Sequence, residues 1–157
     1  MTTSLHDICA ELSDAARQSG RRIATAESLT AGSIAAEIGR AKDSAEWYLG
    51  GIVAYNKAVK HSVLHVPLGP VVSEDAARTM AHAVATMMGA NLALAVTGEA
   101  GPEPLESAPV GTVWFGIADH GTVSGENHHF DGDPARIVEA TVEKALQLLV
   151  ARIRATR

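Results

Sequence analysis

The chain has 157 residues and a mass of 16.3 kDa, enough for one ordinary domain with a sizeable core. Hydrophobic residues make up 46% and charged residues 20%, which excludes an intrinsically disordered chain. A formal net charge of -5 and an aromatic content of 4% argue against a basic nucleic-acid footprint or an aromatic stacking platform.

Leu5, Ile8, Cys9, Leu12, Ala15 and Ala16 recur at helical spacing, and Gly20 provides a stop, so a helix is expected from Leu5 to Ser19. Ile23-Ala24-Thr25-Ala26 reads as a buried strand, Glu27 to Gly32 as a turn, and Ser33 to Ile38 as renewed helix. That order puts the turn at a helix N-terminus, where open N–H groups hold anions. Trp47 to Tyr55 reads as a second strand entered through Gly50-Gly51, and Asn56 as the N-cap of a short helix through Leu64. Ser73 caps a longer helix with Glu74 and Asp75 in its first turn and an apolar stripe from Ala76 to Met88. Leu92 to Thr97 is almost wholly apolar, as for a strand covered on both faces, and Gly98 to Pro104 breaks it. Val110 to Ala118 and Thr122 to Phe130 predict an antiparallel pair, and Pro134 opens a last helix from Ala135 to about Ile153. The expectation is α/β: a single-domain, three-layer αβα sandwich with a mixed, largely parallel sheet over residues 1–157.

Cys9 is the one cysteine, so an intramolecular disulfide and a Cys-based metal cluster are excluded, and Cys9 reads as a helix core residue. The seven histidines are scattered apart from His128-His129, and no His-Glu-x-x-His pattern occurs, so no metal is expected. The residues from Met1 to Ile8 do not read as a secretion signal, and no apolar run reaches the ~18 residues of a membrane span. A cytoplasmic location without membrane or nucleic-acid partners is the expectation. Trp47, Tyr48 and Trp114 are assigned to covering the sheet or an oligomer contact. Arg152, Arg154 and Arg157 suit the negative end of the last helix.

Ligands of α/β sheets gather beyond the carboxyl ends of strands. Three junctions there carry chemistry: Glu27 to Gly32 with the Ser28 hydroxyl, Tyr55 to Lys60 with a phenol and an amine, and Thr97 to Gly101 with a glycine-bearing turn. A serine becomes a nucleophile when a base takes its proton. No histidine lies within the three segments, so a neutral Lys60 or a Tyr55–Lys60 relay is the base on offer. That role requires desolvation or nearby positive charge to depress the lysine pKa from ~10.4. Backbone N–H groups around Leu29 to Gly32 are candidates for holding an oxyanion.

Five motifs in fixed order extend this reading: Thr25-Ala-Glu-Ser-Leu-Thr-Ala-Gly32, Gly50-Gly-Ile-Val-Ala-Tyr-Asn-Lys-Ala-Val-Lys60, Val72-Ser-Glu74, Thr97-Gly-Glu-Ala-Gly-Pro102 and Pro109-Val-Gly-Thr-Val-Trp114. With them the chain resembles the CinA C-terminal domain family, which includes stand-alone nicotinamide mononucleotide deamidases, over essentially its whole length. The resemblance implies a metal- and cofactor-independent amidohydrolase that deamidates nicotinamide mononucleotide, a small-molecule nucleotide, with homo-oligomer formation left open. The alternative is a divergent member that binds a ligand or partner without efficient deamidation, or an amidase with a different substrate. It further implies Ser28 as nucleophile, Tyr55 and Lys60 as its activating partners, and Glu27, Leu29, Thr30, Gly32, Thr97, Gly98, Glu99 and Gly101 as substrate-binding residues. For the substrate phosphate, the Thr97-Gly98 turn and Thr112 are the expected donors.

The chain departs from the family pattern at defined points. Leu29 and Ala31 stand where the family generally has Cys and Gly, and Ala31 adds a methyl where a glycine conformation is expected. Glu99 replaces an apolar residue, and beside a phosphate its carboxylate would repel unless turned away or paired. Glu103 to Glu106 replaces a stretch rich in Asp and Gly. Pro134 stands where Arg is frequent, leaving Arg136 to compensate if the helix presents it inward.

Overall fold

The structure is a computed structural model that describes residues 3–155. The elements run α1 (Leu5–Ser19), β1 (Ile23–Glu27), α2 (Ser33–Arg40), a short 3-10 turn (Ser44–Glu46), β2 (Tyr48–Val53), α3 (Lys57–Ser62), α4 (Glu74–Met88), β3 (Leu92–Gly98), β4 (Thr112–Asp119), β5 (Thr122–His129) and α5 (Pro134–Ala155). Ser4, Asn56 and Ser73 cap α1, α3 and α4, each accepting a backbone N–H, while left-handed Gly20 and Gly89 end α1 and α4. Of these caps, Gly20, Asn56 and Ser73 were legible in the sequence, and Ser4 and Gly89 emerge with the structure.

The sheet order is β2-β1-β3-β4-β5, with β1 parallel to β2 and β3, and β4 antiparallel to β3 and β5. Four strands therefore point one way and β4 opposes them, although half of the pairings are antiparallel. After β1 the chain adds β2 on one side and β3 on the other. This reversal makes the carboxyl ends of β1 and β3 a topological switch point, the place where such sheets leave a crevice.

The alternation within the strands decides how the helices sit. Large side chains of β3 and β4 (Leu92, Leu94, Val96, Val113, Phe115, Ile117) face one core together with α1, α2 and α5. Ile137, Leu146, Leu149 and Ile153 of α5 enter that core, each burial worth about 1.5–3 kcal/mol. The other face shows alanines, Ala24, Ala26, Ala93, Ala95 and Ala118, against Ala76, Met80, Ala81 and Val84 of α4. Small residues let α4 approach the sheet closely. At Gly116 of β4 a Cβ would lie 2.1 Å from the Ala77 carbonyl oxygen, so only glycine fits there. These layers, α1, α2 and α5 over the sheet over α4, form the three-layer sandwich.

The structure refines two assignments. Trp47 is 2% exposed, packs in the α1/α5 core and donates its indole N–H to Ser13 Oγ, while the Tyr48 hydroxyl bonds Thr25 Oγ1 at 2.6 Å. Trp47 is therefore internal and Tyr48 half-buried against the same core, both covering the sheet, because each ring has a polar partner inside the fold. Arg152 turns to Asp119 and Ser124, and Arg154 pairs with Glu11, so ion pairs with neighbouring elements supplement the helix-end role; Arg157 lies outside the described residues. At the opposite end of the sheet from the switch point, Arg21 Nη1 meets Asp119 Oδ1 at 2.6 Å, both nearly buried.

Candidate active site

A cavity of about 400 Å³ opens at the carboxyl ends of β1 and β3. Ser28, Leu29, Tyr55, Lys60, Thr97, Gly98, Glu99 and Gly101 line it, so three junctions distant in sequence meet there. The turn after β1 supplies Ser28, the entry to α3 supplies Tyr55 and Lys60, and the end of β3 supplies the rest. At Gly101, φ is +84° and an added Cβ would meet Val110 Cγ1 at 2.7 Å, so the loop needs glycine to turn back along β4.

Ser28 is 5% exposed, and its hydroxyl has no hydrogen-bond partner among the described residues. Lys60 is 3% exposed and donates from Nζ to the backbone carbonyl of Tyr55 at 3.1 Å. Burial pulls the Lys60 pKa below its ordinary value, against the pull of Glu106 and with the help of Lys57. The Tyr55 phenol is different: Tyr55 is 68% exposed, and among the described residues its hydroxyl bonds neither Ser28 nor Lys60. Its contact with Lys60 is through the main chain, because the phenol stands at the cavity rim.

Three expected substrate contacts do not line the cavity. Glu27, 1% exposed, turns its carboxylate to the first turn of α2, accepting from Ile34 N and Ala35 N at 2.9 Å each and from Thr30 Oγ1 at 2.7 Å. A carboxylate is a natural complement to the positive end of a helix, and here it fills the anion place that the sequence left open. Thr30 is consumed in that network, and Gly32 sits against Val53 as the left-handed N-cap of α2. The backbone N–H groups of Leu29, Thr30 and Gly32 have no partner among the described residues. Ala31 adopts φ +49°, the left-handed conformation in which its methyl is strained.

The donors expected for a phosphate are also engaged elsewhere. Thr97 Oγ1 donates to the Val71 carbonyl at 2.6 Å, Thr112 lies in β4 away from the cavity lining, and Arg136 is exposed outside it. Glu99 lines the cavity at 2% exposure, but its two carboxylate oxygens accept the N–H groups of Leu105 (2.7 Å) and Glu106 (3.1 Å). The carboxylate folds its own loop. Glu106 in turn accepts from Val71 N and Val72 N, both within 3.1 Å, and from Lys57 Nζ at 3.2 Å. Burial alone would raise the Glu106 pKa, but those donors and the Lys57 charge bring it below the usual carboxylate range. Two glutamates thus fasten residues 99–106 to the segment before α4.

Lys57, Val71, Val72 and Glu106 are cavity residues without a site role in the sequence analysis, although Lys57 and Val72 stand inside its motifs. For Lys57 a signal existed: it stands three residues before Lys60, one helical turn apart on the same face of α3. Glu106 contacts residues 35 positions away, which no local pattern announces.

Elsewhere, Cys9 is buried, with its thiol pushed up to about 11 by burial and the nearby Glu37 charge. His128 and His129 lie on β5, where His128 meets Glu126 at 2.5 Å and stacks on Phe130. Among the described residues there is no cluster of three or more His, Cys, Asp or Glu able to hold a metal, and no helix long and apolar enough to cross a membrane.

Comparison with known proteins places this geometry in a family. A "CinA-like protein" of Citrifermentans bemidjiense is 39% identical over 140 residues, 85% of this chain and 34% of that protein. The chain thus spans about a third of such longer relatives. "Nicotinamide-nucleotide amidohydrolase PncC" of Pseudomonas putida is 37% identical over 149 residues, 91% of this chain and 93% of that one. Among solved structures, a competence-damaged protein (CinA) superfamily protein from Klebsiella pneumoniae superposes with a TM-score of 0.93 at 31% identity, covering 98% of this chain and 99% of that one. Another from Escherichia coli gives 0.90 at 32%, covering 94% and 90%. With residues 5–153 matching the family described as CinA C-terminal domain, the chain belongs to that family.

Proposed function

We propose that the chain is an amidohydrolase that converts nicotinamide mononucleotide to nicotinate mononucleotide and ammonia. The observation that carries the reading is a buried amine of lowered pKa sharing one cavity with a buried serine hydroxyl. The match to the Pseudomonas putida amidohydrolase along nearly both full lengths supports the same reaction class.

In this reading neutral Lys60 takes the proton of Ser28 as Oγ attacks the carboxamide carbon. The pyridinium ring withdraws electrons from that carbonyl and its positive charge helps keep Lys60 neutral. The N–H group of Leu29, on the cavity lining and without a partner among the described residues, is the candidate donor for the tetrahedral oxyanion, an effect worth about 3–4 kcal/mol per donor in comparable sites. The C–N bond then breaks, and the proton taken up by Lys60 is available to the departing nitrogen. Water attacks the acyl-serine, giving the carboxylate product and restoring Ser28. Tyr55 enters through its carbonyl, which fixes the Lys60 ammine-side geometry, while its phenol closes the rim over the bound ring. Glu99 does not oppose a substrate phosphate as an open charge would, since both its oxygens are spent on backbone N–H groups.

The test is ammonia release from nicotinamide mononucleotide by the purified protein and by Ser28→Ala. Turnover that disappears in the variant supports the reading. Equal ammonia from both proteins, or none from either, rejects it for this substrate.

A further inference from the structure

A mononucleotide offers two chemically distinct ends, a cationic carboxamide ring and an anionic phosphate, and the cavity holds few groups suited to the second. Among its described lining residues the cations are Lys57 and Lys60, with no arginine. Lys60 is 3% exposed, lies deep in the lining and directs Nζ to the Tyr55 carbonyl at 3.1 Å. The hydroxyl of Thr97 is donated to Val71, and the first turn of α2 is filled by Glu27. Lys57 remains. Its side chain is 52% exposed on the cavity lining, one helical turn from Lys60, so the two amines divide the cavity between an inner and an outer position.

The surroundings hold Lys57 in place without using it up. Glu106 Oε2 lies 3.2 Å from Nζ, and Glu106 is itself anchored by Val71 N and Val72 N. An ammonium has three donors, so this contact leaves two for a ligand. The other carboxylate deep in the lining, Glu99, is committed to its own loop, and Glu103 is exposed.

We propose that Lys57 is the specificity-determining residue that holds the anionic end of the substrate, distinguishing a phosphorylated pyridinium nucleoside from its unphosphorylated counterpart. The inference rests on the nucleotide-amidase reading for the identity of the substrate, but not for the presence of an anion subsite.

The test compares nicotinamide mononucleotide with nicotinamide riboside, which differ by the phosphate alone. Binding is measured by calorimetry in a Ser28→Ala background with Lys57, Lys57→Gln or Lys57→Arg, and kcat/KM is measured with Ser28 intact. Removing one charge-assisted contact is expected to lower the mononucleotide-to-riboside preference about tenfold in Lys57→Gln, with Lys57→Arg within about threefold of the parent. The ratio is the informative quantity, because any effect of Lys57 on Lys60 basicity or on folding changes both ligands alike. A preference unchanged within twofold in Lys57→Gln overturns the proposal, whether or not ammonia is produced. A preference that falls in binding while no ammonia is released leaves the anion subsite standing and rejects the amidase reading. Failure of both ligands to bind rejects both.

Discussion

Glu99 is the residue whose substitution tests most directly how the cavity wall is held. Glu99→Gln keeps the size of the side chain and removes one acceptor. In the native loop each carboxylate oxygen receives one N–H, from Leu105 and from Glu106. Glutamine can accept one of these, but its amide nitrogen then faces the other N–H, donor against donor. Hydrogen bonds to a charged group contribute about 1.5–3 kcal/mol each, so one lost bond and one buried clash cost roughly 2 kcal/mol. For a domain of this size, about 2–4 °C of Tm accompanies each kcal/mol, which gives a fall of about 4–8 °C. Scanning calorimetry reads the Tm, and limited proteolysis reads whether cleavage concentrates between Glu99 and Glu106. Glu103→Gln, an exposed position in the same loop, is the control for charge loss alone. A Tm within 1 °C of the parent, with no new cleavage, would refute the idea that Glu99 fastens this wall.

Two further outcomes follow from the charged groups. Lys60 has its pKa lowered by burial, so between its folded and unfolded values the unfolded chain binds the extra proton and stability rises with pH across that window. Lys60→Met removes this slope in chemical denaturation, is the more stable protein below the window, and loses at least about 10²-fold in ammonia release; in the parent, kcat/KM climbs with pH as the amine deprotonates. An unchanged slope would assign the titration elsewhere. At the far end of the sheet, Asp119→Ala leaves the buried Arg21 guanidinium without its 2.6 Å carboxylate and costs about 3–5 kcal/mol, a Tm fall of about 10 °C, with turnover at low temperature retained.

The strand Leu92 to Thr97 was readable as an almost wholly apolar run; its alternation of large residues with alanine, which assigns each face to its helices, becomes meaningful only once the layers are assembled. Helix ends were readable at Gly20, Asn56 and Ser73, where the local chain carries its own cap, while Ser4 and Gly89 emerge as caps only in the structure. The meeting of Ser28, Tyr55 and Lys60 at one cavity followed from strand ends, a property of topology more than of the individual residues. What escaped were carboxylates whose partners are backbone N–H groups. Any residue can offer such a donor, so the 6-, 7- and 35-residue separations of the Glu99 and Glu106 contacts leave no signature in sequence. Glu27 escaped for the same reason: its donors Ile34 and Ala35 are apolar residues that contribute only their main-chain N–H groups. Trp47 and Tyr48 were ambiguous because interior and interface favour the same rings, and Ser13 and Thr25 decide between them.

With Glu27 seated against α2, the N–H groups of Ile34 and Ala35 in its first turn are closed to solutes, so bulk phosphate or sulfate finds no cradle at that end of the helix. Recognition passes to side chains at the rim, which can be exchanged singly while the serine and the sheet beneath it stay as they are. Related molecules with different tails then lie within reach of point substitutions, and variation in what such a protein accepts should accumulate around the opening and spare the floor.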